Sequence, residues 1–168
     1  MEAFARPEQW QNFYVMMGTS SAALVGLFFI AASLHLADFM KDPILRLRAR
    51  NNAMIFVVVF LQCGAMLTPQ HRAALGGELI ALNLFALHYP VLTVFRMRRR
   101  GVPLPLVRMS FFALASVLGT AGGFGLIVHY LWSLHLIAVS NMIYFVVTVA
   151  NAWALMLGVW QTDERISN

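Results

Sequence analysis

The fold class follows from residues 134–159, LHLIAVSNMIYFVVTVANAWALMLGV, the longest apolar run of the chain. A helix crosses the hydrocarbon core of a bilayer with about 20 mostly apolar residues. Working outward from this run, four others are long enough to span, at residues 13–36, 51–67, 73–95 and 106–128. We therefore predict an all-α integral membrane bundle of five transmembrane helices, with residues 1–168 forming a single transmembrane domain.

Composition supports a membrane protein. Of the 168 residues, 60% are hydrophobic and only 11% are charged, whereas soluble domains carry about 25% charged residues. Five spans use up a chain of this length, so we expect no separate soluble catalytic domain. The single cysteine, Cys63, excludes a disulfide within the chain and any site that needs several cysteine ligands.

The basic residues predict the orientation. The formal net charge is +5, and most of the basic residues lie in two segments between apolar runs, 41–50 and 96–108. The positive-inside rule then places the N-terminus outside and the C-terminus inside. Because the apolar runs lack the alternation of a membrane barrel, we expect a multi-pass protein of a bacterial cytoplasmic membrane. No nucleic-acid motif accompanies this charge, so we expect no nucleic-acid partner. The predicted contacts to anionic lipids on the cytoplasmic side are Arg46, Arg48, Arg50, Arg98, Arg99 and Arg100.

A polar stripe runs along the fifth predicted span. Asn141, Tyr144, Thr148 and Asn151 follow one another at i, i+3, i+7 and i+10, which places them on one face of a helix. Polar groups in hydrocarbon need partners or water, so this face is predicted to meet another helix, another subunit or a hydrated path.

Two polar residues of other spans are candidates for the same path or interface. Gln62 lies in the second span and Glu78 in the third. An intramembrane carboxylate is often a cation or proton site. Alternatively, Glu78 reaches the outer surface or pairs with Arg72.

Small residues recur at helical spacing in the first and fourth spans, and they predict close helix packing. Such packing either holds one chain together or joins copies of the chain, and we expect a homo-oligomer. The residues concerned are Gly18, Ala22, Gly26, Ser116, Gly119, Thr120 and Gly123.

The histidines give weak signals. His71, His129 and His135 are predicted near one surface and are weak candidates for a metal site, but no HxxxH pair fixes two ligands on one helix. His35 and His88 lie at comparable depth and keep a bis-histidine haem open. We predict neither a metal nor a cofactor.

The first span resembles those of a group of small bacterial polytopic membrane proteins. The resemblance rests on Trp10-x-x-Phe13-Tyr14-Val15-x-x-Gly18, followed by AALVGLFF at 22–29 and ASL at 32–34. It covers about the first quarter of the chain. It implies a bacterial origin and carries no activity.

The function expected from these residues is transport rather than catalysis. No P-loop, GxSxG, HExxH or dinucleotide fingerprint occurs, and no buried carboxylate pair suits acid–base chemistry, so we predict that the protein is not an enzyme. The main hypothesis is a homo-oligomeric channel or conduit for small ions, with the polar stripe as its path. The alternatives are a non-transporting accessory or regulatory subunit of another membrane complex, and a haem- or metal-binding membrane protein.

Overall fold

The computed structural model describes residues 7–34, 41, 43–99 and 106–167, and all regular structure in these ranges is helical. Each of the five α-helices contains a segment long and apolar enough to cross a membrane, which confirms the predicted all-α bundle at that level. After a 3-10 turn, Pro7–Trp10, the helices are α1 Gln11–Leu34, α2 Pro43–Leu67, α3 Arg72–Arg99, α4 Leu106–Ile127 and α5 Ser133–Ser167.

Helix α2 begins at Pro43, earlier than the predicted span that starts at residue 51. The segment before that point, in which apolar and basic residues alternate, is helical. Leu47 and Ala49 are buried, whereas Arg46, Arg48 and Arg50 are exposed. Proline suits the first position of a helix because its missing N–H would have no partner there.

Four of the helices form a closed ring. Helix α2 packs on α3, α3 on α4, α4 on α5, and α5 returns to α2, while α1 packs mainly against α2. Ser21 Oγ fixes the α1–α2 contact by donating a 2.7 Å hydrogen bond to the Phe56 carbonyl. The inside of the α2–α5 ring is therefore formed by a single chain.

The two ends of the bundle differ in charge. We call the "basic end" the one where α2 begins, α3 ends and α4 begins, with exposed Arg98 and Arg99 at the end of α3. Arg100 lies outside the described residues. At the opposite end the start of α1 meets the start of α5, where the rings of Trp10 and His135 lie 4.8 Å apart at 84°.

The turn from α4 to α5 is built around His129, the only described non-glycine residue with a positive φ, at 60°. The Tyr130 amide donates to the Gly125 carbonyl at 2.7 Å, and the His129 amide donates to the Leu126 carbonyl at 3.4 Å. This pair of bonds is a Schellman helix end, whose left-handed position usually holds glycine. The turn reverses the chain within a few residues and sets α5 against α4.

Glycines let α4 approach both of its neighbours closely. A Cβ added to Gly123 would lie 2.9 Å from the Gly76 carbonyl oxygen of α3, and one added to Gly122 would lie 2.9 Å from the Ser133 carbonyl oxygen of α5. Real Cβ atoms essentially never come so close to backbone. The absence of side chains at these positions therefore permits the backbone contacts of α4, as in other helix pairs that pack in membranes.

We predict that Gly123→Ala destabilises the fold by about 1–3 kcal/mol, since the new methyl group meets the α3 backbone. Thermal unfolding of the purified protein in detergent measures the effect. Gly77→Ala is the matched control, because nothing lies within 4 Å of the position of its added Cβ. Equal melting temperatures for the wild-type protein and Gly123→Ala would contradict the close approach of α3 and α4.

Candidate functional site

Polar side chains are buried at three levels of the α2–α5 ring. We call them the basic-end cavity, the tyrosine joint and the amide layer, in order from the basic end. The described polar residues that the fold buries are Ser21, Asn52, Gln62, Asn83, Ser116, Ser133, Ser140, Asn141 and Thr148. Together with Tyr144, which is 1% exposed, they give the apolar bundle a polar interior.

The tyrosine joint consists of Asn83, Ser116 and Tyr144, one residue from each of α3, α4 and α5. The hydroxyl groups of Ser116 and Tyr144 are 2.7 Å apart and hydrogen-bonded. The Tyr144 hydroxyl also donates to Asn83 Oδ1 at 3.4 Å, and Asn83 Nδ2 donates to the Leu79 carbonyl at 2.8 Å. The joint thus ties three helices together at mid-depth.

Gly119 makes room for the joint. A Cβ added at this position would lie 2.6 Å from Asn83 Nδ2 and 2.7 Å from Asn83 Cγ. The sequence analysis did not single out Asn83. Its signal was available, because Asn83 is the one carboxamide residue in the predicted span 73–95.

The basic-end cavity has a volume of about 160 Å³ and lies between α2, α3, α4 and α5. Asn51 Nδ2 donates to Thr93 Oγ1 at its edge. Asn52 is 4% exposed, and neither its Oδ1 nor its Nδ2 has a hydrogen-bond partner among the described residues. The lining residues are Arg48, Asn51, Asn52, Ile55, Pro90, Thr93, Arg108, Met109, Phe112, Asn151, Ala154 and Leu155.

The charge of this cavity is positive. Arg48 comes from the first turns of α2 and Arg108 from the first turn of α4, and no carboxylate is among the described lining residues. Glu78, the one acidic residue whose side chain is described, belongs to the opposite half of α3. Arg108 was overlooked as a site residue, although a charge inside a predicted span is itself a functional signal.

The amide layer lies toward the opposite end, with Gln62 on α2 and Asn141 on α5. Gln62 is ten residues from Asn52, and Asn141 is ten residues from Asn151. At a rise of about 1.5 Å per residue, both lie roughly 15 Å from the basic-end cavity. Because α2 and α5 run in opposite directions, the two carboxamides lie at the same depth.

Several polar atoms of the amide layer are buried without partners. Asn141 is 0% exposed, and both its Oδ1 and its Nδ2 lack a hydrogen-bond partner among the described residues. The same holds for Gln62 Nε2 and for the hydroxyl of Tyr14. Tyr14 is one turn from Gly18, which packs against Cys63, the neighbour of Gln62 in the chain.

The predicted polar stripe faces the interior of its own chain. Asn141, Tyr144 and Thr148 are buried, and Asn151 is half-buried at the basic-end cavity. Thr148 Oγ1 donates to the Tyr144 carbonyl at 2.6 Å. The structure also brings Gln62 to the depth of the stripe. Glu78 is not brought to it, because Glu78 is exposed.

Glu78 has a local partner near the opposite end. Its Oε2 accepts a 2.9 Å hydrogen bond from Gln70 Nε2, which also donates to the Ala65 carbonyl at 3.2 Å. The carboxylate therefore stands at the surface between the end of α2 and the start of α3, apart from the buried polar groups.

Some of the small residues predicted to pack helices lie at contacts within the chain, and others lie on its exposed outer face. Gly119, Gly123 and Ser116 serve contacts within the chain, and a Cβ added to Gly18 would lie 3.1 Å from Cys63 Cβ. Thr120 is half-buried. Ala22 and Gly26 are exposed on α1, and nothing lies within 4 Å of a Cβ added to Gly26.

The histidines are dispersed. His71 and His88 are exposed, and His129 lies in the α4–α5 turn. The ring of His135 lies beside that of Trp10, and its centroid is 5.2 Å from that of the Trp132 ring. His35 is outside the described residues. Within the described part of the chain, no three His, Cys, Asp or Glu side chains come together as a metal site would need.

Comparison of the whole chain with protein-family models, with curated proteins and with solved structures finds no match.

We predict that Ser116 and Tyr144 are energetically coupled. A double-mutant cycle of Ser116→Ala and Tyr144→Phe should give a coupling energy of about 0.6 kcal/mol, and at most about 1.7 kcal/mol, as for other hydrogen bonds within membrane bundles. Unfolding in detergent measures it. Ser110→Ala is the control, because Ser110 is exposed on the same helix and bonds only locally, to Val107. Strict additivity of Ser116→Ala and Tyr144→Phe would contradict the joint.

Proposed function

We propose that this protein conducts small ions across a membrane through a polar path inside each chain. The path runs from the basic-end cavity, past Thr148 and the tyrosine joint, to the amide layer. One observation carries the proposal: Asn52 and Asn141 each bury a whole carboxamide whose oxygen and nitrogen have no partner among the described residues.

Such carboxamides are costly in an apolar bundle. A buried polar group without a hydrogen bond costs about 1–3 kcal/mol by protein mutational measurements, and an asparagine has both donors and acceptors to satisfy. Leucine would pack at either position without that cost. Water inside the bundle, or a second arrangement of the helices, would supply the missing partners, and both fit a path that hydrates when it opens.

The charge of the path favours anions. Arg48 and Arg108 lie at the basic-end cavity, where their field raises the local concentration of negative ions. The described conformation is closed at the joint, because Tyr144 is 1% exposed and hydrogen-bonded across the ring. Opening would require the Tyr144 side chain to leave Ser116.

The location and assembly proposed for the protein come from the sequence. We propose a bacterial cytoplasmic membrane with the basic end on the cytoplasmic side, as the positive-inside rule favours. We also propose a homo-oligomer. A path inside each chain does not require an oligomer. The proposed contact between chains is the α1 face that carries the exposed Ala22 and Gly26.

That face also supports the alternative function, an accessory or regulatory subunit of another membrane complex. Helix α1 packs mainly on α2, and its small residues near Gly26 leave a surface where another helix can approach. An accessory subunit would copurify with another membrane protein and would show no flux by itself. The metal alternative has no group of three ligands among the described residues to support it. The haem alternative depends on His35, which lies outside those residues.

We predict that anion flux into proteoliposomes falls about tenfold in Asn141→Leu and in Asn151→Leu. Loss of one hydrogen-bonding group on the path costs about 1–3 kcal/mol, and each 1.36 kcal/mol in a barrier is tenfold in rate. A halide-quenched fluorophore inside the vesicles reports the flux. Asn12→Leu is the matched control, since Asn12 is exposed at the start of α1. Absence of flux in the wild-type protein would overturn the proposed function.

We also predict that water reaches the path. In a Cys63→Ala background, Asn141→Cys and Asn151→Cys should react with a charged methanethiosulfonate, because only a hydrated thiol forms the reactive thiolate. Asn151→Cys should react faster, since the cavity beside it is partly open. Phe29→Cys is the control, because Phe29 is 69% exposed on an apolar face of α1. If Asn141→Cys reacted no faster than Phe29→Cys, the amide layer would be dry packing.

A further inference from the structure

We infer that the basic-end cavity is a binding site for a phosphate group, carried by an anionic lipid that inserts between the helices. This goes beyond surface attraction of lipids to the arginines, because it assigns a specific pocket formed by four helices. It does not depend on ion conduction. A chain that conducts nothing would hold the same ligand.

The pocket offers charge from two directions. Arg48 on α2 and Arg108 on α4 both line the cavity and are exposed, and no carboxylate is among its described lining residues. Guanidinium groups bind phosphate through paired hydrogen bonds, which are stronger and more directional than contacts of a point charge. Pockets of this kind between membrane helices are suited to anionic headgroups.

A second feature of the pocket points to a ligand independently of the arginines. Asn52 lines the cavity and is only 4% exposed. Its two polar side-chain atoms have no partners among the described residues. Both atoms are covered in this conformation, so Nδ2 would donate to a phosphate oxygen after the Asn52 side chain turns toward the cavity. Asn151 on α5 lines the same cavity and adds a further carboxamide, while Asn51 is already engaged by Thr93.

The size and walls of the cavity favour a lipid as the source of the phosphate. Its volume of about 160 Å³ leaves room for a phosphate group. Half of the lining residues are apolar, among them Met109, Phe112 and Leu155. An acyl chain can pack on such walls, whereas free phosphate would gain nothing from them.

Binding can be tested by thermal unfolding of the full chain in a maltoside detergent. Short-chain phosphatidylglycerol, phosphatidylcholine of the same chain length and inorganic phosphate are each titrated at constant ionic strength. The variant Arg48→Gln/Arg108→Gln removes the two cavity charges. Arg98→Gln/Arg99→Gln removes the same charge from exposed positions at the same end, outside the cavity lining. Arg48→Lys/Arg108→Lys keeps the charge without the paired geometry.

We expect phosphatidylglycerol to raise the melting temperature of the wild-type protein more than phosphatidylcholine does. Its apparent affinity should fall about tenfold or more in Arg48→Gln/Arg108→Gln, since a hydrogen bond to a charged group is worth about a factor of ten or more. The apparent affinity of Arg48→Lys/Arg108→Lys should lie between those of the wild type and the glutamine pair. The affinity of Arg98→Gln/Arg99→Gln should resemble that of the wild type. Inorganic phosphate could also stabilise the protein, with the same losses in the variants. That result would support the phosphate site and identify free phosphate as a ligand.

Two results would overturn the inference. One is the absence of stabilisation by either phosphate source. The other is an equal loss in the two glutamine pairs, which would show that general attraction to a basic surface explains the effect. Neither result concerns ion flux, so failure here and failure of the proposed conduit can be told apart.

Discussion

The carboxamide of Asn83 lies against Gly119, and the packing of α3, α4 and α5 depends on that fit. Because position 119 has no side chain, Asn83 can lie beside α4 and accept from Tyr144, which in turn binds Ser116. Lipid is as apolar as the helix surfaces, so the hydrophobic effect does little to hold such helices to one another. The helices are therefore held together by close backbone approach and a few buried hydrogen bonds.

The same constraint explains the glycines of α4 and the hydroxyl groups that face them. Gly122 and Gly123 bring α4 within contact of the backbones of α5 and α3. At that separation short side chains can bridge directly to backbone, as Ser140 does by donating to the Ala115 carbonyl at 2.6 Å. Small residues that predict either monomer packing or oligomerisation are thus used, on α4, largely within one chain.

The sequence predicts the five helices but not which helices contact one another. Apolar runs identify each span, and the spacing of Asn141, Tyr144 and Thr148 correctly predicts a common face, since both depend only on local geometry. Which helix that face meets depends on how the chain packs, so the pairing of Tyr144 with Ser116 and Asn83 is visible only in the structure. Helix α2 begins at Pro43, before the predicted span at 51–67, and the burial of Leu47 and Ala49 shows that packing contacts extend to this part of the helix.

In the proposed conduit, the polar interior also constrains how the path would open. Tyr144 is joined to the neighbouring helices by its bond to Ser116 and by the longer one to Asn83, and bonds of this kind within membrane bundles contribute about 0.6 kcal/mol each on average. Conformations a few kcal/mol apart exchange readily, with the minor one populated at about 0.1–10%. Opening the proposed path also takes the Tyr144 side chain out of its buried position, so these bonds set the smallest cost of an open form. The carboxamides of Asn52 and Asn141, unpartnered on either side of the joint, would gain hydration in that form, which lowers its free energy further.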